Sequence, residues 1–219
     1  FLFDYISYDM VANAFNYKRG DWNAYAFARC FMINIIPVSK CIYLDTDVFG
    51  CGDVSELWNI NIGNNLIAGA LDALPFKKFL RNEYFPQLNS FINNEEMLKM
   101  NGTGLTHENY LNSGVLVLNI NELKKIDFTN KSVILWNTKK LLFVDQDLFN
   151  IIAGHRRLVV DIKFNKCWHG SFSDCVLRHF NHKKVTNPAV SRHHEDYDYY
   201  FDSLDEYSRL IIKMNQTTK

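Results

Sequence analysis

Cys41-Ile42-Tyr43-Leu44-Asp45-Thr46-Asp47-Val48-Phe49 is an apolar run that stops at two carboxylates one residue apart. Ile42-Tyr43-Leu44 reads as a short buried strand and Asp45-Thr46-Asp47 as its exit. In extended backbone, positions i and i+2 face the same side. Asp45 and Asp47 can therefore converge on one point, where two close carboxylates repel unless a cation joins them. Their hard oxygens favour Mg2+ or Mn2+, and a divalent ion at a strand's carboxyl end suits a diphosphate ligand. The same D-x-D spacing also serves an Asx-type turn with solvated carboxylates, and the spacing alone does not choose between them.

Working outward, the spacing of Trp22, Tyr25, Ala26, Ala28, Phe31, Met32 and Ile35 predicts a helix over Trp22–Ile36, with Asp21 as N-cap and Pro37 beyond its end. Arg29 falls inside this helix, where a surface arginine would snorkel over the core. Before it, Phe1–Ile6 reads as a strand end or linker, and Tyr8–Arg19 is mixed. Beyond the opening stretch, Val54–Trp58 reads as a short helix capped by Asp53, and Leu66–Leu71 as a strand ending at Asp72. Residues Phe76–Asn101 form a polar and aromatic excursion, helical in pieces. Asn112-Ser113-Gly114 then leads into an apolar strand, Val115–Ile120. One or two helices follow within Asn121–Lys140. Asp145-Gln146-Asp147 introduces a helix over Leu148–Ala153 that Gly154 closes. Leu158–Val160 and Val176–Phe180 read as the last strands, and Leu204–Met214 as a terminal helix. Strands alternating with helices predict an α/β fold with a mixed sheet, its ligands bound at strand ends. The expected division is a catalytic domain over 1–190 and a helical tail over 191–219.

The 219 residues suffice for one large domain or two small ones. The 24 basic and 24 acidic residues cancel, which gives no electrostatic case for nucleic acid as a partner. Five cysteines, an odd number without a C-x-x-C, read as reduced thiols rather than a disulfide frame or zinc site. No apolar run reaches the length of a membrane span. The chain opens at Phe1 without an initiator Met, which reads as a fragment.

Polar residues recur at the ends of apolar strands: Asp45 and Asp47, Asp72, Asn112, Asp145-Gln146-Asp147, and His179. His179 is a third metal ligand or a hydrogen-bonded core histidine, and imidazole suits Mn2+ better than Mg2+. Asp145-Gln146-Asp147 also fits simple helix capping. His193 and His194 fit a solvated tail. Lys183 and Lys184 can hold phosphate as point charges, or be merely solvated.

The order R…YLDTDV…L-x-x-LW…ALD…NSGVLVLN…DQDLFN…HF resembles glycosyltransferase family 8 from about Tyr25 to Pro188. That family has the GT-A fold, a Rossmann-like mixed sheet flanked by helices, and includes bacterial lipopolysaccharide glucosyl- and galactosyltransferases and glycogenin. The resemblance implies a retaining transferase moving glucose or galactose from a UDP-sugar, with Mn2+ or alternatively Mg2+, to a saccharide or lipid-linked saccharide acceptor. It implies lipopolysaccharide or other surface-glycan synthesis, in the cytoplasm or peripheral to the inner membrane. It gives Asp45, Asp47 and His179 as metal ligands, and Arg29, Asp45 and Thr46 as nucleotide-sugar contacts. It places Asp72 and Asn112 at the donor sugar, and Asp145 and Gln146 at the reacting sugar.

Three departures stand out. The family's opening strand and uridine-binding loop have no recognisable copy here, so the expected sheet lacks its N-terminal strand unit. The G-x-x-K-P-W that follows the histidine in many members is replaced by Asn181-His182-Lys183-Lys184-Val185-Thr186-Asn187-Pro188, leaving Lys184 as the diphosphate lysine. The basic, aromatic membrane-docking tail of some members is not evident. The first two motivate an alternative, a non-catalytic sugar-nucleotide-binding module or degenerate transferase. A phosphotransferase of the haloacid dehalogenase type also places D-x-D after a strand, but wants Thr or Val where this chain has Phe49.

Overall fold

The computed structural model describes residues 6–17, 24–72, 105, 109–139, 141, 143–167 and 174–180. Its centre is β4 (Leu111–Asn119), with all residues but the last buried. β4 lies inside a four-stranded sheet, order β1-β4-β3-β5, with β1 at Lys40–Leu44, β3 at Ile67–Leu71 and β5 at Arg157–Val159. β1 and β3 both pair antiparallel to β4, while β3 and β5 run parallel. Alternate side chains of a strand point to opposite faces. Leu116 and Leu118 accordingly enter one apolar cluster, and Val115 and Val117 enter another. Cover on both faces explains why this segment reads as a continuous apolar run.

The larger cluster joins the sheet to α1 (Tyr8–Ala14), α2 (Ala28–Ile35), α5 (Phe128–Thr138) and α6 (Val144–Ala153). Phe15 stacks on Phe27 at 4.2 Å, and Phe128 on Phe149 at 4.6 Å between ring centroids. Burying such a side chain contributes about 1.5–3 kcal/mol each. Two short helices, α3 (Ser55–Asn59) and α4 (Ile120–Lys125), complete the frame. The Asn119 side chain accepts from the Glu122 amide and so caps α4.

A second, three-stranded sheet has the order β2-β7-β6, with β2 at Val48–Gly50, β6 at Lys166–Cys167 and β7 at Leu177–His179. β2 and β7 are antiparallel, β6 and β7 parallel. This small sheet ties the chain just after the D-x-D turn to the chain around His179.

The structure corrects several expectations. β1 is half-buried rather than buried, it stands at the end of its sheet among the described residues, and Leu44 is 43% exposed. The predicted helix over Trp22–Ile36 begins instead with a 3-10 turn, Ala24–Phe27, which passes into α2. Tighter 3-10 winding rotates the inward face. Ala24, Phe27, Cys30 and Ile33 are therefore buried while Tyr25 is 47% exposed. Asn112-Ser113-Gly114 lies inside β4 rather than ahead of it. Asp145-Gln146-Asp147 forms the first turn of α6, not its approach. The stretch 121–140 holds two helices because the chain breaks at Asp127, with φ +53°. β2 and β6 are too short to show in the sequence. None of the five cysteines is in a disulfide, and Cys41 is only half-buried. The expectations for Phe1, Asp21, Trp22, the 76–101 excursion, Lys183, Lys184, His193, His194 and Leu204–Met214 lie outside the described residues, as does the tail 191–219.

Candidate active site

The D-x-D turn is held at both ends. The Asp45 amide donates to Gly114 O at 2.8 Å, and the Val48 amide donates to Asp45 O at 3.1 Å. β2 then pairs Val48 with His179, and the Phe180 amide donates to Asp47 O at 3.0 Å. This ladder brings a histidine distant in sequence to the turn. His179 Nε2 lies 3.2 Å from Asp47 Oδ1 and 3.8 Å from Asp45 Oδ2. One ligand atom from each of the three residues lies within 4.8 Å of the others. Octahedral Mg2+ has bonds of about 2.0–2.1 Å, which puts its ligands roughly 3–4 Å apart. The cluster fits such an ion by spacing, and its two hard oxygens and imidazole fit Mn2+ by chemistry.

Arg29 organises the acidic wall. Its Nη2 donates to Asp45 Oδ1 at 2.8 Å, its Nη1 to Ser113 O at 2.8 Å, and its Nε lies 3.0 Å from Asp145 Oδ2. The last is a charge contact off the N–H line, since that oxygen, though close, accepts no directed hydrogen bond. The guanidinium also sits over the Tyr43 ring at 4.3 Å. Arg29 is thus a bridge between two acidic residues, not a snorkelling surface arginine. The Tyr43 hydroxyl donates to Asp45 Oδ1 at 2.7 Å. With Oδ1 occupied by Arg29 and Tyr43, Asp45 turns Oδ2 towards His179.

Asp145 is buried beside this cation. Burial pushes its carboxyl up to about 6, Asp45 adds to the rise, and Arg29 opposes it. Desolvation wins because Arg29 is shared between two carboxylates. For Arg29 burial is the largest single effect and acts to lower it, but Asp145 and Asp45, with smaller help from Tyr43 and Cys30, together hold it above its ordinary value.

The other wall comes from an irregularity in β4. The β3–β4 register shifts between Gly69, opposite Leu116, and Leu71, opposite Leu111. The extra residues on β4 are those around Asn112-Ser113-Gly114. Such bulges re-aim side chains next to sites. Here the Ser113 amide donates to Gln146 Oε1 at 3.0 Å, and the Gly114 amide to Asn112 Oδ1 at 2.9 Å. Gln146 Nε2 then donates to Asp72 Oδ2 at 2.8 Å, and Asn112 Nδ2 to the same oxygen at 3.2 Å. Asp147 points away from the cavity. Its Oδ1 accepts from the Tyr110 hydroxyl at 2.6 Å and its Oδ2 from the Phe143 amide at 2.8 Å. The capping role expected of the triplet therefore belongs to Asp147, while Asp145 and Gln146 face the cavity.

The resulting cavity holds about 220 Å3 and is lined by Arg29, Asp45, Asp47, Asp72, Asn112, Asp145, Gln146 and His179 among others. Thr46 is exposed on the turn and is not part of its wall. Lys184 lies outside the described residues. Sequence reading missed Tyr43, Ser113 and Tyr110, whose contributions are a hydroxyl or backbone groups with no motif signal. It also missed Asn165, which is 1% exposed.

The mixed sheet with its acidic cluster at strand ends has the GT-A fold of glycosyltransferases, as comparison with solved structures shows. The fold is shared with the bifunctional glycosyltransferase WbbM, at a TM-score of 0.67 and 16% identity over 90% of this chain and 38% of that one. LgtC, solved as an active-site mutant, aligns at a TM-score of 0.63 and 17% identity over 90% of this chain and 75% of that one. The sequence matches glycosyl transferase family 8 over residues 4–194, and the chain belongs to that family. The lipopolysaccharide 1,2-glucosyltransferase of Escherichia coli is 22% identical over 77% of this chain and 46% of its own length. The chain spans less than half the length of the curated relatives it matches.

Proposed function

We propose that the protein is a retaining glycosyltransferase that moves glucose or galactose from a UDP-sugar to a saccharide or lipid-linked saccharide acceptor. The observation that carries this reading is the meeting of Asp45, Asp47 and His179 with Asp72, Asn112, Asp145 and Gln146 in one cavity. The similarity to a lipopolysaccharide 1,2-glucosyltransferase supports a role in lipopolysaccharide or other surface-glycan synthesis, which we place in the cytoplasm or peripheral to the inner membrane. Among the described residues, no helix is long and apolar enough to cross a membrane. Residues 1–190 are proposed as the catalytic domain and 191–219 as a helical tail.

Asp45, Asp47 and His179 would hold the metal, Mn2+ in preference to Mg2+. When bound, such an ion neutralises the charge that grows on a diphosphate leaving group. The bond from the anomeric carbon to the diphosphate oxygen breaks, a bond to the acceptor hydroxyl oxygen forms, and the hydroxyl proton leaves with the diphosphate. Asp72, Asn112 and Asp145 orient the sugar hydroxyls, and Arg29 fixes Asp45 and Asp145 against the substrate. Lys184 adds positive charge at the diphosphate. Gln146 is a poor nucleophile, and its Oε1 already accepts from Ser113. Attack by the acceptor on the face the leaving group departs from is therefore favoured over a stable covalent intermediate.

The test is UDP release by the full-length protein from UDP-glucose and UDP-galactose, with and without Mn2+. Metal-dependent release is expected with one of them, and its absence across UDP-hexoses ends the transferase reading. The altered Lys183-Lys184 segment favours a non-catalytic binding module instead, which would bind UDP-hexose without releasing UDP.

A further inference from the structure

Gly114 carries a backbone N–H, which can only donate. It donates to Asn112 Oδ1 at 2.9 Å, so the Asn112 atom at that position is the oxygen. The same oxygen is approached by the Asn165 amide at 2.8 Å. An atom facing an acceptor must donate, so Asn165 presents Nδ2 there and keeps Oδ1 for its other neighbour. That neighbour is His179 Nδ1, at 3.0 Å. Nδ1 must then carry a proton, and in the neutral ring the lone pair of Nε2 faces Asp47 and Asp45, where a cation would sit between them.

We propose that Asn165 is a positioning residue: it fixes His179 in the tautomer whose Nε2 is free to bind a metal, and ties that imidazole to Asn112 on the sugar side. The inference rests on the metal-dependent transferase reading for its purpose, but not for its geometry. Asn165 is 1% exposed and His179 5%. In such a site the two amides cannot exchange partners with water, and a reversed amide would set donor against donor or acceptor against acceptor. The third neighbour agrees. Cys167 Sγ lies 3.5 Å from Asn165 Oδ1 and 3.5 Å from His179 Nδ1. Its thiol donates to the Asn165 oxygen, which requires the same orientation of that amide. Partners of this kind orient a ligating histidine and typically change metal affinity about 10–100-fold when removed.

The chain of contacts runs from the Gly114 amide through Asn112 and Asn165 to His179. Asn112 also donates to Asp72 Oδ2, which Gln146 shares. One relay of oriented amides thus reaches both the metal cluster and the sugar wall. The side-chain amide of Asn165 serves both contacts, because it accepts from an imidazole and donates to an amide oxygen at once.

The experiment is 15N-histidine NMR of the full-length, metal-free protein at a pH where the ring is neutral, with His179 assigned among the seven histidines by loss of its signals in His179→Gln. Wild type is expected to show protonated Nδ1 and unprotonated Nε2; an Nε2–H tautomer overturns the proposal without any variant being made. Asn165→Asp keeps an acceptor for Nδ1 but cannot donate to Asn112, so it should hold the tautomer and raise KM for the donor sugar. Asn165→Ala should lose the tautomer preference and weaken Mn2+ binding, read by electron paramagnetic resonance, about 10–100-fold. An unchanged tautomer in a folded Asn165→Ala protein also overturns it. Failure of the transferase reading looks different: the Nδ1–H tautomer would be present, with no metal-dependent release of UDP.

Discussion

The imidazole of His179 occupies the space in which a side chain at Gly114 would start. The two residues lie on different sheets, and the position held by glycine lets the small sheet press its histidine against the large one. A Cβ on Gly114 would overlap Cε1, Nδ1 and Nε2 of the ring. Gly114→Ala is therefore expected to push His179 off the acidic pair and weaken Mn2+ binding more than 10-fold, with far-ultraviolet circular dichroism unchanged. Metal affinity equal to wild type in the alanine variant would remove the steric basis for this glycine.

The Asp47 side chain is 44% exposed, against 24% for Asp45. Removing its charge should cost little folding energy and isolate the metal effect. Asp47→Asn is expected to abolish the rise in Tm that Mn2+ gives wild type, since a ligand stabilises only the state that binds it. Thermal melts with and without Mn2+ check this, and an undiminished Mn2+ shift in the variant would place the ion elsewhere.

Asp145 titrates at about 6 in the folded protein against an ordinary 3.8, chiefly from burial. A folded-state carboxyl raised this way holds its proton longer than the unfolded chain does. Stability is therefore greatest below the ordinary value, is lost as pH rises from about 4 to 6, and is level above that. The size is about 3 kcal/mol by linkage. In urea unfolding, wild type should lose stability relative to Asp145→Asn across that window. Parallel profiles of the two proteins would show that Arg29 holds Asp145 ionised throughout.

Arg29 meets Asp45, Asp145 and Ser113 O with three nitrogens of one planar group. Arg29→Met leaves two carboxylates without their shared cation and should cost about 3–5 kcal/mol. Arg29→Lys keeps a charge but not the fork, and should recover only part of the loss. Adding Asp145→Asn to Arg29→Met should restore some stability, because the uncompensated charge is gone. Chemical denaturation of wild type, Arg29→Met, Arg29→Lys, Asp145→Asn and the double variant checks the set, and strictly additive losses would mean the pair is not coupled.

Much of the cavity was legible before any coordinates. Asp45, Asp47, Asp72, Asn112, Asp145, Gln146 and His179 each follow or end an apolar run, and all line it. Asn165 was not legible, because an asparagine after Phe164 carries no periodicity and its value lies wholly in what it touches. The phase of α2 was misread for a related reason: a 3-10 first turn leaves no signature in the sequence, yet it rotates every residue behind it.

The sequence alone determined the order of the longer strands and helices, the chemistry of the polar residues, and the resemblance to glycosyltransferase family 8. Residue type and local spacing are enough for that. Only the tertiary structure decided that β1 pairs antiparallel with β4 and that a bulge turns Asn112, Ser113 and Gly114 into the cavity. It also decided that Arg29 bridges two acids, and that His179 closes on Asp45 and Asp47 through the β2–β7 ladder. These are long-range pairings, set by register and packing between segments far apart in the chain, and no local pattern encodes which partner each will meet.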